Sequence, residues 1–87
     1  MAYTVEIKND VAKAIARLAP KMQQRVAATL RGLANEPRPA GSAKIKGRDH
    51  TWRIRLGVIR ILYEIHDNIL SVTVVRVAHR REVYRHL

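Results

Sequence analysis

Apolar side chains follow the period of helices in one long stretch of this chain and the period of strands on either side of it. From residue 11 to residue 33 they recur every three or four positions, at Val11, Ile15, Leu18, Met22, Val26, Leu30 and Leu33. Pro20 interrupts this stripe, and because proline is tolerated in the first turn of a helix, a second and longer helix is predicted from about Pro20 to Asn35. The two helices form a hairpin whose cationic outer face is interpreted as solvated surface, with a second nucleic-acid contact as the alternative.

Alternating patterns, typical of strands with one buried face, lie on either side of the helices. Residues 3–7 predict a short N-terminal strand. After a loop at 36–42, Trp52–Leu56 alternates apolar residues with arginines, and Gly57-Val58 suits a type II′ hairpin turn. That turn predicts three directly opposed pairs, Leu56 with Ile59, Arg55 with Arg60, and Ile54 with Ile61.

Three arginines are thereby predicted to share one face of the sheet, namely Arg53, Arg55 and Arg60. Like charges directly opposite each other destabilise a strand pair. We therefore expect this face to hold an anion, and phosphate is the natural candidate because arginine binds it with two parallel hydrogen bonds.

A third strand completes an antiparallel meander after a turn near Asp67-Asn68. A two-residue loop there predicts the pairs Ile65 with Leu70, Tyr63 with Val72, and Ile61 with Val74. The predicted fold class is α+β, a single domain over residues 1–87. It has an N-terminal strand, a helix hairpin over one face of a three-stranded antiparallel meander, and a short C-terminal helix beginning near His79.

The amino-acid composition limits the classes of partner that this protein is expected to bind. The 87 residues carry a formal charge of +10, and twelve of the seventeen basic residues are arginine, which favours a polyanionic partner such as RNA, DNA or an acidic protein. With no cysteines and four scattered histidines, neither a metal site nor another cofactor is expected. The N-terminus lacks a secretory pattern and no apolar run approaches about 18 residues, so a cytosolic protein without membrane contact is predicted.

The order of these motifs resembles the RelE/ParE superfamily, the toxins of bacterial and archaeal toxin–antitoxin pairs. The resemblance covers nearly the whole chain and is carried by Lys44–Gly47, Trp52–Gly57, Arg60–Ile65 and Val77–Arg85. It implies an α+β fold related to small microbial ribonucleases and neutralisation by a cognate antitoxin. It also implies one of two activities, since the RelE branch cleaves mRNA in the ribosomal A site and the ParE branch inhibits DNA gyrase.

The RelE pattern assigns roles to five residues of this chain. It implies basic catalytic residues at Arg53 and Arg55, a phosphate-stabilising arginine at Arg60, a second arginine at Arg80, and a base-stacking or orienting tyrosine at Tyr84. Because the basic tail with its tyrosine is retained, the resemblance favours the RelE branch over the ParE branch.

Two departures from that pattern stand in the β-hairpin. RelE toxins often have lysines where this chain has Arg53 and Arg55, and frequently an acidic or polar residue and a tyrosine where it has Val58 and Ile59. The second departure concerns packing and the turn, whereas the first touches the chemistry.

Cleavage of RNA by its own 2′-hydroxyl needs a base, stabilisation of the charged phosphorane, and an acid for the leaving oxygen. Arginine stays protonated far above neutral pH, so Arg53 and Arg55 are predicted to act as electrostatic clamps. An imidazole titrates near neutrality, which makes His79 the predicted proton acceptor. Further contacts to RNA are predicted at Lys44, Lys46 and Arg81.

The predicted function is therefore that of a ribosome-dependent mRNA endonuclease of a type II toxin–antitoxin system. Its expected partners are a cognate antitoxin, the ribosome and mRNA, with no small-molecule substrate. A ParE-like gyrase inhibitor and a non-catalytic RNA-binding protein are the alternatives, because composition alone does not separate the three.

Overall fold

The computed structural model describes residues 2–85, and their fold class is α+β, as predicted. Its elements in chain order are β1 (Thr4–Ile7), α1 (Asn9–Ala16), α2 (Pro20–Leu33), β2 (Ala43–Lys44), β3 (Thr51–Leu56), β4 (Ile59–His66) and β5 (Ser71–His79). The five strands make one sheet in the order β1-β5-β4-β3-β2. Within residues 2–85, no helix combines the length and the apolar character needed to cross a bilayer.

The helix hairpin covers one face of the sheet and packs its apolar stripe against it. Pro20 occupies the first turn of α2, as predicted, and α2 ends at Leu33 rather than Asn35. The buried core joins both helices to β3, β4 and β5, through Val11, Val26, Leu30, Leu33, Ile54, Ile61, Tyr63, Ile65, Val72 and Val74.

The first β-hairpin has the predicted register, with Leu56 opposite Ile59 and Arg55 opposite Arg60. Gly57 has φ of +59°, and Val58 is not among the residues with positive φ. A positive φ at the first central residue alone defines the type II′ turn, whose twist matches that of the flanking strands. The turn therefore determines which side chains of β3 and β4 meet.

The predicted register of the second hairpin is wrong by two residues near the turn. Ile65 pairs with Val72 rather than Leu70, and Tyr63 pairs with Val74. The connection is longer than two residues because a 3₁₀ turn spans Asp67–Ile69 and precedes the left-handed residue at 70. A shift of two residues keeps each side chain on its predicted face, so the apolar surface is preserved.

A β-bulge in β5 changes which of its side chains face the helices. The register shifts by one residue between Leu62 and Tyr63, so Ile61 pairs with Val77, Leu62 with Arg76, and Ile59 with His79. An extra residue in one strand reverses the alternation of faces beyond it. His79 is thus carried to the side of the helices, whereas Arg76 is carried to the opposite side.

Two edge strands enlarge the predicted meander to five strands. β1 pairs with β5 in parallel, with Thr4 opposite Ser71 and Ile7 opposite Val74. The short β2 pairs with β3, with Lys44 opposite Trp52. The parallel pair is possible because the helix hairpin provides the crossover between β1 and the rest of the sheet.

Hydrogen-bonded turns at residues 80–85 replace the predicted C-terminal helix, whose last residues, 86 and 87, lie outside the described part of the chain. The carbonyl of His79 accepts from the N–H groups of Glu82 and Val83, and the Arg76 guanidinium donates to the Glu82 carbonyl at 2.9 Å. Val83 is fully buried. So short a segment gains too few helical bonds to offset nucleation, and its anchors to the sheet determine its path.

Candidate nucleic-acid interface

The arginine face, which consists of Arg53, Arg55 and Arg60, lies on the side of the sheet away from α1 and α2. Arg55 and Arg60 are directly opposed, and Arg53 pairs with the buried Leu62. Arg55 is exposed and the other two arginines are half-buried. The structure therefore brings together the three side chains that the alternation of β3 and the turn at Gly57 predicted.

Arg60 is held in place by its own hairpin. Its Nη1 donates to the carbonyl of Gly57 at 2.6 Å and to that of Ile59 at 3.0 Å. A guanidinium has five N–H donors in a rigid fork, so the remaining donors are available to an anion. Because these two bonds already orient the side chain, less rotamer entropy is lost when it binds a phosphate.

The tail returns to the same hairpin turn. The N–H of Arg80 donates to the carbonyl of Val58 at 2.7 Å, which places the backbone of Arg80 beside the turn that also anchors Arg60. The side chains of Arg80, Arg81 and Tyr84 are exposed, the last at 45%. An exposed aromatic ring among cations offers a surface on which a nucleobase can stack.

His79 does not join the arginine face. It pairs with Ile59, whose side chain is part of the core, so the register places His79 on the side of the helices. Its Nδ1 accepts the N–H of Arg81 at 3.1 Å. A neutral ring in this arrangement carries its proton on Nε2, which makes that nitrogen a donor. The role of His79 as a proton acceptor stays a prediction.

Lys44 and Lys46 lie at the far edge of the sheet. Lys44 pairs with Trp52, whose alternation with Arg53 places it on the opposite face, and Lys46 follows in the exposed loop after β2. The structure therefore separates Lys44 from the arginine face. Their predicted contact with RNA stays a prediction.

Several polar residues on the arginine side of the sheet escaped the sequence analysis. Glu64 and His66 alternate with Arg60 along β4 and share its side, a placement that the period of two already indicated. His66 Nε2 lies 3.4 Å from a Glu64 carboxylate oxygen, and its ring centroid is 4.9 Å from that of His50. Arg76 lies on the same side of the sheet because of the bulge in β5. Among residues 2–85, no three His, Asp or Glu side chains converge as metal ligands.

An ion-pair clasp holds the loop before β2 against the rest of the fold. The Arg38 guanidinium donates to both carboxylate oxygens of Asp67, at 2.7 and 3.2 Å, and Tyr3 donates its hydroxyl to the same carboxylate at 2.5 Å. These bonds, that of Arg38 first, lower the pKa of Asp67 to about 2. Arg38 also lies 5.1 Å from the centre of the Trp52 ring. The clasp joins the residue before β1, the loop before β2 and the β4–β5 turn.

The amino-acid sequence is similar to those of known toxins. Residues 2–84 match the family model described as the ParE toxin of the type II toxin–antitoxin system parDE. The chain is 31% identical to Toxin RelG of Mycobacterium tuberculosis strain H37Rv over 86 residues, which are 98% of this chain and 99% of RelG.

Solved structures show the same fold. The RelE–RelB complex of Pyrococcus horikoshii OT3 contains a chain that superposes with a TM-score of 0.84 at 25% identity, over 95% of this chain and 100% of that one. The RelBE2 toxin–antitoxin complex of M. tuberculosis gives 0.78 at 27% identity, over 92% and 100%. This chain therefore belongs to the RelE/ParE superfamily, the toxins of type II toxin–antitoxin systems.

Proposed function

We propose that this toxin is a ribosome-dependent endonuclease that cuts mRNA in the A site. The observation that carries the proposal is the direct opposition of Arg55 and Arg60, with Arg53 on the same face and the tail docked beside the turn. Opposed like charges cost stability, and a bound phosphate removes that cost.

In the proposed reaction the 2′-oxygen of a ribose attacks the adjacent phosphorus while the bond from phosphorus to the 5′-oxygen breaks. The 2′-hydroxyl gives up its proton and the leaving 5′-oxygen receives one, so the products are a 2′,3′-cyclic phosphate and a 5′-hydroxyl. Arg60, fixed by its two carbonyl contacts, would stabilise the developing charge on the phosphorane. Arg53 and Arg55 would act as electrostatic clamps on the negative charge beside it.

Proton transfer is the step for which the side chains of this site are least suited. For His79 to accept a proton through Nδ1, its contact with the N–H of Arg81 must open. The proposal instead relies on geometry imposed by the ribosome, since positioning two reacting groups alone lowers a barrier substantially. Tyr84, nearly half exposed, would orient the substrate by stacking on a base.

An antitoxin is the expected inhibitor. Its acidic segments would neutralise the arginine face or displace the tail at 80–85, and the two solved structures described above are complexes of toxin and antitoxin. An apolar groove of about 600 Å³ between β1 and the helices offers further surface, lined by Val5, Ile7, Ile15 and Leu30 among others. Because β1 is an edge strand, its unpaired backbone is also available there.

The test is cleavage of a defined mRNA by the purified protein, with and without ribosomes stalled with an empty A site. Cuts are expected only with ribosomes, and Arg60→Ala should lower the rate by about 10²–10³-fold, as does removal of an oxyanion donor. Arg17→Ala, which removes the same charge from an exposed position after α1, is the matched control and should cleave like the wild type. Unchanged cleavage by Arg60→Ala, with its fold confirmed by circular dichroism, would contradict the assignment.

A ParE-like inhibitor of DNA gyrase is the second candidate, favoured by the family model that the chain matches. Such an inhibitor binds a protein and needs no phosphate cluster, so it should tolerate substitution of Arg60 and Tyr84. Intact mRNA in both tubes, from a preparation that still stops growth in cells, would favour this candidate and call for a supercoiling assay.

A further inference from the structure

A second cationic pocket lies on the same side of the sheet as the arginine face, below the docked tail. It has a volume of about 200 Å³, smaller than pockets for drug-sized ligands and suited to a small anion. Buried Thr51 and Leu62 lie in its wall. Four cationic side chains from four parts of the chain surround it, namely Lys8, Arg48, Arg76 and Arg85.

Positive side chains outnumber negative ones in this pocket. Glu64 is its one carboxylate, and that group also lies 3.4 Å from His66. Within the described residues, none of the four cations forms an ion pair. The Nε of Arg76 is buried and has no hydrogen-bond partner, while its Nη2 donates to the Glu82 carbonyl. A buried N–H without an acceptor is destabilising, and an anion in the pocket would supply the missing acceptor.

The pocket adjoins the arginine face. Thr51 precedes Arg53 by two residues on the same side of β3, a separation of about 7 Å, and Leu62 is the residue paired with Arg53. We propose that this pocket binds a phosphate of the RNA strand whose neighbouring phosphate contacts the arginine face. The assignment to RNA rests on the proposed function, whereas the affinity of the pocket for phosphate does not.

The first arm of the test measures the anion alone. Inorganic phosphate is titrated into the ¹⁵N-labelled protein, and the arginine Nε–H signals are followed by NMR. The Arg76 signal should shift and saturate, because its Nε–H gains an acceptor, and the Arg17 signal should not move. A stationary Arg76 signal would overturn the pocket as an anion site.

The second arm measures RNA binding without cleavage. A labelled single-stranded 2′-O-methyl RNA, whose blocked hydroxyl cannot attack, is titrated with wild-type protein and with Arg48→Gln/Arg85→Gln between about 50 and 200 mM salt. Loss of one phosphate contact should reduce the slope of log affinity against log salt by about 0.7. It should also weaken binding roughly tenfold at low salt, as expected for a charge-assisted bond. Arg17→Gln/Arg25→Gln, with the same net charge, is the matched control.

The two arms separate the possible sources of the phosphate. A shift of Arg76 together with unchanged RNA binding by Arg48→Gln/Arg85→Gln would show a site for free anions and overturn the RNA assignment. Equal losses in the pocket variant and the control would also overturn it, since net charge alone would then explain them. Failure of the proposed function is a different result, in which wild-type protein cleaves no mRNA on ribosomes yet the pocket variant still loses affinity.

Discussion

Removal of one buried hydroxyl tests how the loop before β2 is held. Tyr63 is fully buried in β4, and its hydroxyl donates to the carbonyl of Pro37 at 2.8 Å, a contact between residues 26 positions apart. Burial also raises the pKa of Tyr63 to about 12, so the hydroxyl keeps its proton well into the alkaline range. Tyr63→Phe keeps the ring and removes the hydroxyl that makes this bond.

The expected loss of stability comes from the Pro37 carbonyl, which remains in place without its donor. Pro37 is buried, so its oxygen would lose this donor without gaining full access to water. Leaving a buried acceptor unsatisfied costs about 1–3 kcal/mol, and the unchanged ring leaves no large cavity. For a domain of this size each 1 kcal/mol corresponds to about 4–8 °C in Tm.

Urea unfolding followed by the fluorescence of Trp52, the single tryptophan, measures the change. The midpoint should fall with an unchanged m-value. Tyr84→Phe is the matched control, because that side chain is exposed, and its effect should stay within about 0.5 kcal/mol. If Tyr63→Phe were as stable as the control, the hydroxyl would contribute nothing net and the loop would be held by other contacts.

Two further predictions concern the clasp and the turns. The ordinary pKa of 3.8 for Asp67 falls to about 2 in the folded state, so the clasp contributes stability above pH 3.8 that is lost as the pH falls through 2. Asp67→Asn should flatten this part of a profile of Tm against pH, and an unchanged profile would contradict the assignment. Gly57→Ala should cost about 1–2 kcal/mol because φ is +59° there, whereas Gly32→Ala, in open space within α2, should stabilise by about 0.5–1 kcal/mol. Thermal melts of both variants test the pair, and effects of equal sign would refute it.

Much of the architecture follows from short-range pattern. The three- and four-residue spacing around Pro20 predicted both helices, and the turn at Gly57 predicted the register of β3 and β4. These features depend on neighbours in sequence, so the local conformational preferences of glycine, proline and alternating side chains suffice to determine them.

The composition of the arginine face was predicted for the same reason. Arg53, Arg55 and Arg60 lie within one β-hairpin that has a two-residue turn. No distant contact is needed to bring them together. Arg80 reaches the turn through a backbone bond to Val58 that no local pattern indicated.

The helix hairpin, the first β-hairpin and the three arginines on one side of the sheet could be predicted from the amino-acid sequence, because each follows from local period or from a two-residue turn. The parallel pairing of β1, the longer turn at Asp67–Ile69 and the bulge beside Leu62 became known only from the folded structure. The bulge has the largest effect on the site, since one extra residue in β5 moves His79 away from the arginine side and brings Arg76 to it. Sequence alternation cannot indicate such a step, because the pairing is selected by burial and hydrogen bonding between distant segments.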